Sequence, residues 1–223
     1  MEELTTVMQA EPETNARTPW IQERAKVFGK WMWIYFWVSI VTIIPGGIAA
    51  VEEMSETGTI IGTLIGWCLS AVLVYAMFQL GRVQDRLRTC AILNAVALAA
   101  QIILHFVNSE MLTDLWDIPS IIMGLVVSYQ LMHGCGDALA GVDNEQSNKW
   151  YRLWKWYVGL LIGGVVAVPA VIFLAAFGEN TFQAVIAVIA LLAWVCMLLV
   201  QVVKEYVYIY RTAKIFRGIA ENL

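Results

Sequence analysis

Charged residues are scarce in this chain of 223 residues: they make up 14% of it, whereas hydrophobic residues make up 60%. About a quarter of the residues in a soluble globular domain are charged, so this composition excludes that class of protein. The mean hydropathy of +0.68 points the same way. We therefore expect an integral membrane protein that is surrounded by the lipid bilayer.

Cysteine and histidine are also rare, with four and two copies. All four cysteines fall within or at the ends of apolar segments, which argues against a disulfide framework. His133 and Asp137 share one face of a predicted helix, but Cys135 between them points to the other side. The sequence therefore predicts no metal site.

Sequence motifs of membrane enzymes and of nucleotide-binding proteins are missing. The chain contains no HExxH, no Gly-x-Ser-x-Gly and no phosphate-binding loop, and away from the helix ends it has no dense basic patch interleaved with exposed aromatics. We therefore expect no enzymatic activity, no cofactor and no binding of nucleic acid. Any transport driven by ATP would need a partner subunit.

Long apolar segments dominate what is present, and each is long enough to cross about 30 Å of hydrocarbon as a helix. The predicted spans are residues 31–51, 58–80, 89–108, 118–139, 156–177 and 181–203. The sequence therefore predicts an all-α fold, a polytopic transmembrane bundle of six helices.

Polar and amphipathic segments flank these spans. Residues 1–18 have little to bury and are predicted to be a disordered cytoplasmic tail, whereas residues 19–223 form the membrane domain. Thr18-Pro19 has the form of a helix start. Aromatic and basic residues predict amphipathic interfacial helices before spans one and five, and an amphipathic cytoplasmic tail after span six.

The charges are distributed unevenly between the two sides of the predicted bundle. All 14 lysines and arginines fall in segments on one side. All the charged residues in the loops of the other side are acidic: Glu52, Glu53, Glu56, Glu110, Asp114, Asp117 and Glu179. Under the positive-inside rule both termini are cytoplasmic, and we expect a multi-pass protein of a bacterial cytoplasmic membrane.

Two sets of glycines recur at intervals of four residues. The second span has Gly58, Gly62 and Gly66, and the fifth has Gly159 and Gly163. Such spacing lets the backbones of two helices approach closely, so we predict helix packing at these glycines.

Polar residues form a line on each of two neighbouring spans. Asn94, Gln101 and His105 share a face of the third span. The fourth span carries Gln130, His133 and Asp137 at spacings of three and four. If these faces meet, they line a polar path for a substrate or ion, with His133 and Asp137 as a titrating pair.

A purely structural role is the alternative for both lines. Asparagine and glutamine hydrogen-bond between helices in bundles that transport nothing. Asp137 lies near the cytoplasmic boundary, where it could simply pair with a nearby cation. The candidates for that pairing are Arg82, Arg86 and Lys149.

These two interpretations, a polar path and a purely structural role, lead to two functional hypotheses. The first is a small-solute carrier, or the membrane subunit of a transporter with a partner membrane or ATPase subunit, with a polar site between spans three and four. The second is a non-transporting scaffold, sensor or accessory subunit. The sequence predicts no particular oligomeric state.

Overall fold

The computed structural model describes the backbone of residues 11–49, 56–107, 109–177 and 181–222, and all six elements in these ranges are helices. Their side chains are described for residues 22–43, 60–107, 109–173, 185–186 and 188–221. The helices are α1 (Glu11–Ala49), α2 (Glu56–Leu80), α3 (Asp85–Val107), α4 (Glu110–Leu139), α5 (Asn144–Phe177) and α6 (Thr181–Asn222). The predicted all-α class is confirmed.

Five helical stretches are long and apolar enough to cross a membrane. They are Ile60–Leu80, Asp85–Val107, Glu110–Leu139, Asn144–Phe173 and Val188–Glu221. These stretches identify a multi-pass membrane protein, as predicted from the hydropathy.

The helices form a closed ring. Each helix packs on its neighbours in the chain, and α1 packs on α6 to close the circle. Short connections make successive helices antiparallel. With six helices, the start of α1 and the end of α6 therefore lie at one end of the ring, together with the α2–α3 and α4–α5 connections. We call this end, which carries the lysines and arginines, the basic end, and the opposite one the acidic end.

The buried core lies near the basic end. Phe28 and Met32 of α1 are fully buried there, as are Cys135 of α4 and Trp150 of α5. The indole nitrogen of Trp150 donates a hydrogen bond to the hydroxyl of Thr212 at 3.0 Å, which satisfies both polar groups inside the core. This cluster closes the middle of the ring at the basic end.

Toward the acidic end the same helices are apolar but exposed. Phe106 at the end of α3 is 76% exposed, and Val165 in α5 is 75% exposed. In water such surfaces would be costly, but in a bilayer they contact lipid. The distribution of burial thus fits a bundle whose flanks are covered by hydrocarbon.

The predicted interfacial helices are continuous with the spans that they flank. Helices α1 and α6 have 39 and 42 residues, which corresponds to lengths of about 58 and 63 Å at 1.5 Å per residue. Both exceed the hydrocarbon thickness of about 30 Å, so each extends well beyond one membrane surface.

The start of α1 corrects the prediction of a disordered tail over residues 1–18. Residues 11–18 are helical, and only 1–10 lie outside the described residues. The helix begins at Glu11 and not at Thr18-Pro19.

Three further helix starts lie earlier than predicted. Helix α3 begins at Asp85 and not at Thr89, whose hydroxyl donates to the Asp85 carbonyl at 3.5 Å inside the helix. Helix α5 begins at Asn144, because the carboxylate of Asp143 accepts a bond from the Gln146 amide at 2.9 Å and caps it.

Helix α4 shows the largest shift, from residue 118 to Glu110. The acidic segment that we predicted to be a loop forms the first two turns of this helix, and Pro119 lies inside it. Glu110, in the first turn, interacts favourably with the partial positive charge at the helix start. The position of the carboxylates within a helix arranges them on defined faces.

Candidate functional site

Two cavities adjoin at Gln101, which lines both. The inner cavity, of about 170 Å³, lies between α1, α2 and α3. The outer cavity, of about 850 Å³, lies between α3 and α4 at the acidic end. Gln101 thus borders both cavities, the outer one at the acidic end and the inner one nearer the buried core.

The outer cavity is lined by carboxylates and hydroxyl groups. Glu110, Asp114 and Asp117 contribute from α4, where their spacing of four and three places them along one side of the helix. None of its described lining residues is a lysine or arginine. A cleft lined by charges of one sign raises the local concentration of counter-ions, here cations.

The remaining lining of the outer cavity is suited to small polar or cationic groups. Ser109, Thr113 and Ser120 supply hydroxyl oxygens, and Trp116 supplies an aromatic ring. Among the residues that the structure describes, no group of three or more His, Cys, Asp and Glu is arranged to hold a metal ion. The cavity therefore attracts cations through its field and its oxygen atoms rather than through a preformed coordination site.

His105, predicted as a path residue, lies at the wall of the outer cavity. Its ring packs edge-on against Trp67 of α2 at 5.1 Å and lies 5.9 Å from Phe106. The side chain is exposed to the cavity. The structure thus brings Gln101 and His105 together, as expected from the spacing of the polar residues in the third span.

Asn94 lines the inner cavity and lies on the same helix face as Gln101. Its amide nitrogen donates to the carbonyl of Cys90 at 2.9 Å and lies 3.5 Å from the sulfur of Met77. No described donor engages its side-chain oxygen, which leaves this atom for a solute in the cavity. Ser70 of α2 is a second polar lining residue.

Tyr35 and Glu205 extend the polar region into the core, and sequence reasoning missed both. Tyr35 of α1 lines the inner cavity and lies within electrostatic range of Glu205. Cys90 and Cys135 lie within the same range of that carboxylate. Of these four residues, Tyr35 is the one that lines the inner cavity.

Glu205 itself is half-buried and forms no ion pair with any described residue. It lies four residues from Gln201 and four from Ile209, both of which are buried. This spacing was the signal available in the sequence, because residues four apart share a helix face. We assigned the segment to a surface tail instead.

The other half of the predicted path does not join these cavities. Asp137 forms an ion pair with Arg86 of α3, with 2.8 Å between Oδ2 and Nε. The hydroxyl of Tyr151 in α5 donates to its other oxygen at 2.5 Å, and the Gln84 amide nitrogen lies 3.4 Å from Oδ2. Asp137 thus joins three helices, which is the structural role considered as the alternative.

His133 lies in the same group of side chains, beside Tyr151, the hydrogen-bond partner of Asp137. Its ring lies 4.2 Å from that of Tyr129, 5.3 Å from that of Tyr151 and 6.0 Å from that of Trp154. Its Nδ1 lies 3.1 Å from the Tyr129 carbonyl oxygen. The ring is packed among aromatic side chains and lines neither of the two cavities.

We predicted that the polar residues of the third span meet those of the fourth span. The structure corrects this expectation. Cys135 is fully buried, and on a helix the positions two residues before and after it point to the opposite side. His133 and Asp137 occupy those positions. Gln130 is separate from both groups, and its side-chain oxygen is buried without a hydrogen-bond partner.

The predicted packing glycines are a second correction. A Cβ atom built on Gly62, Gly66, Gly159 or Gly163 would meet nothing within 4 Å, and Gly58 lies outside the described side chains. The glycines that do allow close approach are others. Gly29 lies against the backbone of Arg217, and Gly164 lies against Trp194. Spacing alone did not distinguish glycines that face a neighbour from those that face lipid or a cavity.

Comparison of the chain with protein-family models, with curated proteins and with solved structures returned no match.

Proposed function

We propose that this protein is a six-span carrier that takes a small cation from the acidic end of the ring toward the cytoplasm. The observation that carries the proposal is the outer cavity, whose lining includes carboxylates, but no described lysine or arginine, and which adjoins a polar inner cavity at Gln101. This cavity lies between spans three and four, where a polar site was predicted.

The orientation in the membrane follows from the lysines and arginines, which all belong to segments of the basic end. The positive-inside rule then makes the basic end and both termini cytoplasmic. Helix α1 supplies the sixth span, because it closes the ring between α2 and α6. A cation would enter from the outside, through the acidic cavity.

The membrane potential can supply the driving force. Moving one positive charge inward across 100 mV, negative inside, releases about 2.3 kcal/mol. This gain requires no ATPase partner. It favours a cation over a neutral solute as the cargo.

Glu205 supplies a second negative charge that can attract the cation at the inner end of the proposed route. Tyr35 lines the inner cavity with Gln101 and Asn94. The Glu205 carboxylate, which has no cationic partner among the described residues, would be the next negative charge on the proposed route. In the present arrangement the core separates this position from the basic end. Transport therefore requires the helices to repack there, so that the cavity opens to the cytoplasm.

Uptake of tetramethylammonium into proteoliposomes tests this function, because its quaternary cation suits both the carboxylates and the ring of Trp116. We expect accumulation under an interior-negative potassium diffusion potential. The Asp114→Asn/Asp117→Asn variant should reduce the initial rate about threefold at low salt, and less at high salt, where surface fields are screened.

A matched control removes the same charge at the other end. Asp85 and Glu145 are exposed carboxylates of the basic end, so Asp85→Asn/Glu145→Gln should leave the rate unchanged. Uptake by the wild type no faster than in protein-free vesicles would refute tetramethylammonium transport. Equal slowing by both variants would exclude the acidic cavity as the entrance.

The accessory-subunit hypothesis has one observation in its favour. The helix flanks near the acidic end expose large apolar side chains, including Phe106 and Met111. A partner membrane protein could pack there in place of lipid. Copurification of a specific membrane protein, together with no uptake of cations by the isolated chain, would favour this function.

A further inference from the structure

A groove between α1 and α6 at the basic end is separate from the cavities described above. It has a volume of about 830 Å³. Its lining residues are Gln22, Glu23, Lys26, Lys30, Trp33, Ile34, Arg217, Ala220 and Glu221. We call it the α1–α6 groove.

The groove changes from charged to apolar along α1. Lys26 and Lys30 come first, and Trp33 and Ile34 follow toward the membrane interior. From Lys26 to Ile34 the helix rises about 12 Å. A phospholipid has the same layout over a similar distance, from a charged headgroup to the start of its acyl chains.

Close packing holds the cations of the two helices together. A Cβ atom on Gly29 would lie 2.9 Å from the backbone nitrogen of Arg217, so α1 and α6 touch at this point. The guanidinium of Arg217 lies 5.1 Å from the ring centre of Trp33. Lys30 lines the same groove as Arg217, and its ammonium lies 5.6 Å from the ring centre of Trp31.

The positive charges of the groove are only partly compensated. Arg217 contacts Glu221 of its own helix at 4.0 Å, a long and exposed pair. Lys26 and Lys30 form no ion pair with any described residue, and both are exposed. Three cations against Glu23 and Glu221 leave one net positive charge, which suits a single phosphodiester.

We propose that the α1–α6 groove is a binding site for an anionic phospholipid of the cytoplasmic leaflet. The phosphate lies between Lys30 and Arg217, the glycerol region lies against Trp33, and an acyl chain follows Ile34. Basic grooves between helices at the cytoplasmic surface are suited to acidic headgroups. This inference uses the proposed orientation of the bundle but is independent of transport.

The test compares lipids and variants of the full-length protein in detergent micelles. Native mass spectrometry counts the bound lipid after addition of phosphatidylglycerol or of phosphatidylcholine with the same chains. We expect one tightly retained phosphatidylglycerol in the wild type. The Lys30→Gln/Arg217→Gln variant should weaken its retention at least fivefold, whereas Lys149→Gln/Lys214→Gln should not.

The control variant removes two cations at the same end, from a separate cavity that Lys149 and Lys214 line. Equal losses in the two variants, or equal retention of both lipids, would overturn the proposal in favour of unspecific attraction. Inorganic phosphate at millimolar concentration should not displace the lipid. Displacement by phosphate would identify a free-anion site instead.

A second measurement covers the case in which the double variant unfolds. Brominated phosphatidylglycerol should quench tryptophan fluorescence more strongly in the wild type than in Trp33→Phe. The same lipid with a choline headgroup should show no such difference. Equal quenching in both proteins would place the lipid elsewhere and refute the site.

Discussion

At the scale of single residues, Asp137 shows how a polar group within an apolar segment can serve structure. Its two oxygens are engaged by Arg86 and Tyr151, which belong to the neighbouring helices α3 and α5. A carboxylate with partners on both sides links three helices near one membrane surface. Its geometry accounts for its presence in α4 without any role in moving a solute.

Asp137→Asn should therefore affect stability and leave transport intact. The substitution removes the charge of a half-exposed ion pair, so we expect a loss of about 1 kcal/mol in the free energy of unfolding. For a chain of this size that corresponds to a fall of about 2–4 °C in Tm. Thermal unfolding of the purified variant in detergent measures it.

Glu145→Gln is the control for this measurement, since it breaks an exposed pair with Lys149 within one helix. Its Tm should change by less than that of Asp137→Asn. A variant Asp137→Asn with normal Tm and abolished uptake would contradict the structural role and return this residue to the transport path.

At the scale of the helix, contact with a neighbour decides what each glycine does. Gly163 and Gly164 are adjacent in α5, yet only Gly164 faces α6. A Cβ atom there would lie 2.5 Å from the ring of Trp194, whose indole nitrogen is fixed by a hydrogen bond to the Leu160 carbonyl at 3.1 Å.

Gly164→Ala should consequently lower the Tm, because the anchored indole ring has to move. We expect a cost of about 1–3 kcal/mol, as for other overpacked positions. Gly163→Ala is the matched control and should leave the Tm unchanged or raise it slightly, since alanine favours the helix. Equal effects of the two substitutions would show that α5 and α6 do not pack in this register.

At the scale of the whole molecule, the ring separates an acidic end from a basic one. The α3–α4 connection at Ser109 belongs to the first end, and the α4–α5 connection at Val142 to the second. The outer cavity opens at the former, whereas the core closes the latter. The proposed direction of cation movement depends on this polarity.

Labelling of single cysteines checks the polarity. In a variant whose native cysteines are replaced by serine or alanine, Ser109→Cys should react with a membrane-impermeant maleimide applied to intact cells. Val142→Cys should react only after the membrane is permeabilised. The reverse pattern would place the basic end outside and would contradict the positive-inside assignment.

The fold class could be predicted because hydropathy is a sum over neighbouring residues. A run such as residues 58–80 is apolar whatever lies beside it, so its helix is present at nearly the predicted bounds. The first residue of each helix was harder to predict from the sequence. Glu110 to Asp117 resembles a polar loop, but as the start of α4 it gains backbone hydrogen bonds and a favourable interaction with the helix dipole.

Half of the candidate site could be predicted for a similar reason. Asn94, Gln101 and His105 share one helix, and the period of that helix sets their common face. Whether His133 faces them depends on the rotation of α4, which is set by the burial of Cys135 and its neighbours against other helices.

By itself, then, the sequence determined that this is an all-helical, multi-pass membrane protein with its positive charges at one end, because these properties follow from local composition. Only the tertiary structure decided which polar residues meet. The rotation of each helix is set by all the contacts of its buried side chains together, and these contacts link residues far apart in the chain. The ring, its two cavities and the diversion of Asp137 to Arg86 are consequences of that collective packing.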